Sequence, residues 1–397
     1  MELLRENFYR RLNNVSLKFK RSLLNSIHWE NRMIGIRGAR GVGKTTLILQ
    51  YIKEKLPLNE SVIYISLDDI YFATNSLSEY VDDFVKKGGQ YLFVDEVHKY
   101  KNWSIELKNI YDNYPELKIV FTGSSILPLI KSKADLSRRA LMYDMQGLSF
   151  REYINVTHKL NFETVSLPDI LTNHLELSMM INKKIKPILE LERYNQKGYY
   201  PYFLERNRDY LFLLAETINQ TLEADIPMYL DLNIESIEKM KRLLSIISVS
   251  VPFKPNISNL SEKTGMARNT LKMMLHYLQK ANIINLLFAS SRGVSQLQKP
   301  EKIYLHHPNL MYALSSNKIN TGTLRETFFQ NQLQSLFSVE YTSKGDFFVD
   351  DKYTFEIGGK DKNYQQIKDI PNSYIAADNI EYGAGNKIPL FLFGFLY

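Results

Sequence analysis

Between Met33 and about Leu148 the chain alternates short apolar runs with amphipathic stretches. The runs MIGI, VIYISL, YLFVDE and LKIVFTG are each bounded by Gly, Asp, Asn or Pro. Apolar at consecutive rather than alternate positions, they predict strands buried on both faces. With amphipathic segments between them, the region reads as a three-layer α/β domain around a parallel sheet. Upstream, Leu3, Leu4, Phe8, Leu12 and Val15 recur at helical spacing in a polar, basic stretch, which predicts a helical lead-in.

After Phe150 the pattern changes. Segments rich in Leu, Ile and Met from about Asp169 to Met228 keep a helical period and contain few strand runs. Asn256 to Leu287 reads as helix, turn, helix and strand, with Gly265 at the turn and Ala267 to Lys280 as the second helix, the order of a winged-helix unit. Thr323 to Tyr397 opens with an amphipathic helix and continues in the strands YTFEIGG and IPLFLFGFLY, a small α/β module. The expected boundaries are 1–155, 156–315 and 316–397, with no internal repeat or low-complexity linker between them.

A chain of 397 residues has room for two or three domains, and its 44% apolar and 23% charged content is that of a globular protein. The absence of cysteine excludes disulfides, thiolate metal sites, iron–sulfur clusters and cysteine nucleophiles, and fits a reducing cytoplasm. A net charge of +7 permits a polyanionic partner without requiring one. The longest apolar stretch, Ile388 to Tyr397, is far short of the ~20 residues that span a bilayer, and the N-terminus has no signal-peptide core. A cytoplasmic protein without membrane contact is expected.

The strongest chemical signal is Gly38-Ala39-Arg40-Gly41-Val42-Gly43-Lys44-Thr45, which satisfies G-x-x-x-x-G-K-[ST] directly after the MIGI strand and before the helical TTLILQYIKEKL. Glycines let backbone N–H groups converge on phosphate oxygens at a helix N-terminus, where orphan donors and the positive dipole end favour an anion. Lys44 then meets the β- and γ-phosphates and Thr45, followed by Thr46, supplies a hydroxyl to Mg²⁺. The strand Gln90 to Val94 ends in Asp95 and Glu96, as a Walker B strand requires: Asp95 to hold the ion through water, Glu96 to orient the attacking water. A third strand, Leu117 to Phe121, ends in Thr122-Gly123-Ser124-Ser125, where Ser124 or Thr122 is a candidate γ-phosphate sensor. Arg138 and Arg139 are candidates for an arginine finger offered to a neighbouring subunit. On the second helix of the winged unit, Arg268, Asn269, Thr270 and Lys272 make a polar, basic face suited to DNA, beside an apolar stripe of Leu271, Met274, Leu275 and Leu278.

The run from GIRGARGVGKTTL through LFVDEVHKYKNW, FTGSS and SRRALMYDMQGLSFREYI resembles the prokaryotic AAA-type ATPases that carry a C-terminal domain of unknown function, relatives of the archaeal-type ATPases. The resemblance implies a P-loop AAA/ASCE-type fold in which Gly38, Gly43, Lys44, Thr45, Asp95 and Glu96 form the site, with ATP rather than GTP as the nucleotide. His98, Lys99 and Trp103 fall on signature positions without an assigned role. The resemblance further implies that Gly198 to Glu205 follows the ATPase, then a winged helix, then a restriction-endonuclease-like fold. Nucleases of the PD-(D/E)xK kind place an acidic residue on a first helix, an Asp on one strand and Glu-x-Lys on the next. Glu326, Asp346, Glu356 and Gln365 or Gln366 occur here in that order, but Gly358 stands at the lysine position, and Lys360 and Lys362 are the nearest lysines. A degenerate nuclease-like module is expected. The function expected is Mg²⁺-dependent ATP hydrolysis coupled to action on DNA, with a homo-oligomer or protein partner compatible. The alternatives are a slow nucleotide-dependent switch acting through proteins and an ATP-gated metal-dependent nuclease.

Overall fold

The computed structural model describes residues 2–126, 136–206, 208–230, 232–250, 254–289, 299–315 and 319–397. Its contacts divide the chain into two compact units, residues 1–147 and 148–397.

The first unit is built on a fully parallel five-stranded sheet in the order β2-β3-β4-β1-β5. Its strands are β1 (Met33–Gly38), β2 (Val62–Ser66), β3 (Tyr91–Asp95), β4 (Lys118–Ser124) and β5 (Leu141–Asp144). The first four coincide with the expected apolar runs, and their inner positions are almost wholly buried. The fifth was not legible as a run because it lies at the sheet edge with its side chains largely exposed. It is held to β1 by a two-pronged ion pair, Arg37 Nε and Nη2 to the Asp144 carboxylate at 2.5 and 2.9 Å. The helices of this unit are α1 (Glu2–Asn14), α2 (Leu23–Ser26), α3 (Lys44–Lys55), α4 (Leu77–Lys86) and α5 (Trp103–Asn113). The lead-in is α1, which turns Leu4, Phe8 and Leu12 inward against α3 and β2. Leu3 lies on its exposed side and Val15 falls beyond its end.

The second unit begins with α6 (Phe150–His158), α7 (Leu167–Asn182), α8 (Pro187–Lys197), α9 (Tyr210–Gln220), α10 (Pro227–Leu230) and α11 (Ile234–Ser250). Ser149 starts α6 with a capping box, its hydroxyl accepting from the Glu152 N–H while the Glu152 carboxylate accepts from the Ser149 N–H. The segment Gly198 to Glu205 interrupts the helices and is fixed by side-chain bonds: Asn309 accepts from the Tyr199 N–H at 2.9 Å and from the Tyr210 hydroxyl at 2.5 Å. Next come α12 (Ile257–Thr264), α13 (Arg268–Lys280) and the antiparallel pair β6 (Ile284–Leu287) and β7 (Lys302–Leu305). Gly265 ends α12 in the left-handed conformation, at φ +66°, as the turn between the helices requires.

The last part holds α14 (Pro308–Leu314), α15 (Thr321–Leu333) and a five-stranded mixed sheet in the order β12-β11-β10-β9-β8. Its strands are β8 (Val339–Glu340), β9 (Phe347–Val349), β10 (Tyr353–Gly358), β11 (Ser373–Ala377) and β12 (Lys387–Pro389). Two expectations are corrected here. The α15 helix is not amphipathic: Phe328 and Phe329 are buried, and so are Gln330, Asn331 and Gln332, the last two because they have partners inside. Asn331 donates to the His306 carbonyl at 3.0 Å and Gln332 to the Tyr194 hydroxyl at 3.1 Å. Likewise IPLFLFGFLY is strand only up to Pro389; Leu390–Phe395 coils into a 3-10 helix whose aromatic rings enter the core around Phe150, Phe329 and Phe355. A Cβ on Gly394 would lie 2.4 Å from that of Phe150, so only glycine allows this approach. Among the described residues no helix is long and apolar enough to cross a membrane.

Candidate functional site

Parallel strands β1 and β3 end on the same edge of the first sheet, with β4 between them. The loop Gly38 to Gly43 leaves β1 at that edge and enters α3, whose N-terminal flank Gly43 sits at φ 99°. A side chain on Gly38 would place a Cβ 2.3 Å from the Met145 carbonyl oxygen, so glycine alone permits the loop to pass the backbone beyond β5. From below, buried Arg21 donates to the carbonyls of Val42 at 2.8 Å, Gln146 at 2.8 Å and Gly147 at 2.7 Å. Nothing in the sequence around Arg21 announced this anchoring role.

Lys44 is buried, and its ammonium donates to the carbonyls of Gly38 at 2.9 Å and Ala39 at 3.0 Å. The Thr45 hydroxyl donates to Asp95 Oδ2 at 2.7 Å, joining the start of α3 to the end of β3. Asp95 is 2% exposed and receives two further hydroxyls, Tyr64 on Oδ2 at 2.7 Å and Thr122 on Oδ1. The Tyr64 hydroxyl in turn accepts from Arg11 at 2.8 Å, so α1 reaches the site through β2. Burial and the Asp95 charge push the Tyr64 phenol far up, keeping it protonated as a donor. The only sign of Tyr64 in the sequence was a phenol inside the otherwise aliphatic VIYI.

Glu96 follows at φ 54°, a left-handed conformation rare for a side-chain-bearing residue. Its N–H donates to Thr122 Oγ1 and to Asp95 Oδ1, each at 3.2 Å. Its carboxylate meets His98, Oε2 to Nε2 at 3.1 Å. Burial raises the Glu96 carboxyl above the usual range, Asp95 and Asp68 add to this, and Lys44 and Arg40 oppose it. Ser124, at the end of β4, stands opposite Gly38 in register and gives its N–H to His98 Nδ1 at 3.3 Å. Thr122, two residues earlier, is the member of the pair that bonds Asp95.

Among the described residues no three His, Cys, Asp or Glu side chains converge as a metal cage. The Thr45 hydroxyl and Asp95 carboxylate nevertheless fit Mg²⁺, which keeps most of its waters and takes one or two protein oxygens beside phosphate. Arg138 and Arg139 are not brought to this edge. They precede β5, which pairs Leu141 with Ile34, and so lie at the opposite end of the strands. Arg139 there grips the Asp112 carboxylate at 2.9 and 3.0 Å, whereas Arg138 is exposed.

In the second unit, Arg268 and Asn269 are exposed at the start of α13 and Thr270 and Lys272 are half-buried, while Leu271, Met274, Leu275 and Leu278 face inward. Beside the mixed sheet, Lys302 of β7 places its ammonium 3.1 Å from Glu326 of α15 and 3.2 Å from Asp346. Glu356 pairs with Lys362 rather than Lys360, which is exposed. The stem of Lys362 occupies the space above Gly358, where a Cβ would meet it at 2.6 Å. A lysine does reach this carboxylate, from four residues later than the expected position. Gln365 and Gln366 are exposed, and Gln366 lies 3.4 Å from Lys362.

Residues 30–154 match a family described as an AAA domain, and residues 188–321 match a domain of unknown function, DUF8612. An uncharacterized protein of Methanocaldococcus jannaschii is 26% identical over 288 residues, covering 69% of this chain and 60% of the relative. Similar solved structures include a RuvB variant from Thermotoga maritima, at 14% identity and TM-score 0.32, covering 74% of this chain and 90% of that one. DnaA from Aquifex aeolicus with bound AMPPCP has 16% identity and TM-score 0.25, covering 70% of this chain and 88% of its own. The stretch that matches the AAA domain family, residues 30–154, carries the parallel sheet, the G-x-x-x-x-G-K-[ST] loop and the paired Asp95 and Glu96.

Proposed function

We propose that the protein binds and hydrolyses ATP with Mg²⁺ at the edge formed by β1, β4 and β3, and couples turnover to DNA held by its second unit. The observation that carries this reading is the bond from Thr45 to Asp95, formed where Lys44 is held over the loop carbonyls. The loop N–H groups and Lys44 bind and orient the phosphates. Thr45, and Asp95 through water, would hold Mg²⁺, which would supply charge neutralisation to the phosphates when bound. Glu96 accepts a proton from water as the water oxygen bonds the γ-phosphorus; the bond to the bridging oxygen breaks, giving ADP and phosphate. Ser124, opposite Gly38, is the proposed sensor of the γ-phosphate. Arg138, exposed, is the proposed finger for a neighbouring copy, since Arg139 is committed to Asp112.

The test is steady-state ATP hydrolysis with and without duplex or single-stranded DNA at two salt concentrations. A rate that rises with DNA supports the coupling. Binding without appreciable turnover in any condition moves the reading to a nucleotide switch acting through proteins.

The proposed DNA-facing element is α13, whose Arg268 and Asn269 are exposed and whose Thr270 and Lys272 are half-buried beside the buried stripe. Replacing Arg268 and Lys272 together by alanine is expected to weaken DNA binding and reduce the slope of log K against log salt by about 2, roughly one per lost phosphate contact. Fluorescence anisotropy across a salt series measures this, and an unchanged slope removes α13 from the interface.

We infer that the carboxylates of the mixed sheet do not support cleavage. The Lys302 ammonium stands between Glu326 and Asp346, in the space a divalent ion would need to bridge them, and Lys362 neutralises Glu356. Supercoiled plasmid is therefore expected to survive Mg²⁺ or Mn²⁺, with or without ATP. Nicking that disappears in Glu356→Ala would establish the nuclease reading instead.

A further inference from the structure

His98 has no part in the chemistry above, yet it is buried beside the site and bonded at both ring nitrogens. We propose that His98 is a positioning residue that fixes the Glu96 carboxylate to the end of β4, an inference that rests on the ATP-hydrolysis reading.

The two bonds of the ring fix its tautomer. The backbone N–H of Ser124 points at Nδ1 from 3.3 Å, so that nitrogen supplies a lone pair and carries no proton. The single proton of a neutral ring is then on Nε2, 3.1 Å from Glu96 Oε2, and is donated to it. A backbone amide cannot change its role from donor to acceptor, so the ring has one orientation and one tautomer. The 3-10 turn Val97–Lys99 brings His98 back under Glu96, and the left-handed backbone of Glu96 starts that turn. Such a conformation persists only where its surroundings over-determine it. Thr122 and Asp95 hold the Glu96 N–H, and His98 holds the other end of the same residue.

The consequence is a mechanical link. Ser124 is in register with Gly38, the first residue of the phosphate loop, and the next residue, Ser125, donates its N–H to the Gly38 carbonyl at 3.1 Å. A shift of the β4 end against the loop is therefore felt by the His98 ring and passed to the carboxylate that orients water. A rigid contact of this kind matters most in the chemical step, because a misplacement of about 1 Å costs on the order of 10²-fold in rate.

The experiment compares wild type, His98→Ala and His98→Gln for kcat, for the Kd of a fluorescent ATP analogue and for thermal unfolding. His98→Ala is expected to lose about 10²-fold in kcat while the nucleotide Kd stays within about twofold. His98→Gln, whose amide can donate to Glu96, is expected to recover most of the lost rate. A residue that only fills space would instead give equal kcat per folded molecule in both variants. Nitrogen-15 histidine spectra of the wild type supply a readout independent of turnover: the signal lost in His98→Gln should report a protonated Nε2 and a bare Nδ1. Full turnover in His98→Ala, or the opposite tautomer, overturns the inference and leaves the ATPase reading standing. A wild type without turnover overturns both.

Discussion

Lys44→Ala is expected to weaken nucleotide binding by roughly two to three orders of magnitude while leaving the fold intact. The ammonium is buried and already aimed by two carbonyls at the mouth of the loop, so little ordering remains to be done when phosphate arrives. Removing one partner of a desolvated charge pair costs about 2–5 kcal/mol, and each 1.4 kcal/mol is about tenfold in Kd. The fold should tolerate the change because the loop is held from beneath by Arg21, whose bonds to Val42, Gln146 and Gly147 do not involve Lys44. Titration of a fluorescent ATP analogue, with thermal unfolding as the control, gives the answer. A Kd within twofold of wild type would show that the phosphates bind elsewhere.

The proposed nucleotide site is legible in sequence because its determinants are local. A phosphate loop needs glycines and a lysine at fixed offsets between a strand and a helix, and an Asp-Glu pair at a strand end needs only the strand before it. What the sequence withheld is contributed from afar by residues with no local pattern. Arg11 and Tyr64 support Asp95 from 84 and 31 positions upstream, and Arg21 braces a loop some twenty residues away. The edge strand β5 escaped because exposure removes the apolar run by which a buried strand is recognised. In the second unit the errors share one cause. Polar residues in α15 and the aromatic run after Pro389 were read by their own character, yet their placement is set by distant partners: Tyr194 and His306 for the first, Phe150 for the second. Lys362 shows the same limit, because a spacing rule cannot see a lysine that reaches the space over Gly358 from a following loop.

Glu96→Gln separates binding from chemistry, and its expected signature is the inverse of that of Lys44→Ala. Glutamine is close in shape and can keep the contact with His98 through its side-chain oxygen, so the nucleotide site should stay assembled and Kd should be nearly unchanged. What is lost is the ability to accept the proton from water, a contribution of typically 10²–10⁴-fold. The drop should therefore fall on kcat. The pH dependence offers a second test. The carboxyl must be ionised to act, and burial raises its pKa, reinforced by Asp95 and Asp68 and opposed by Lys44 and Arg40, with His98 bonded to it. Activity should consequently fall as pH drops through a value above the ordinary carboxylate range, and the residual rate of Glu96→Gln should lack that limb. If Glu96→Gln turns over at the wild-type rate, water is oriented by another group. If its rate falls but keeps the same acid limb, the titrating group lies elsewhere, and the Glu96 side chain serves the site by position rather than by taking the proton.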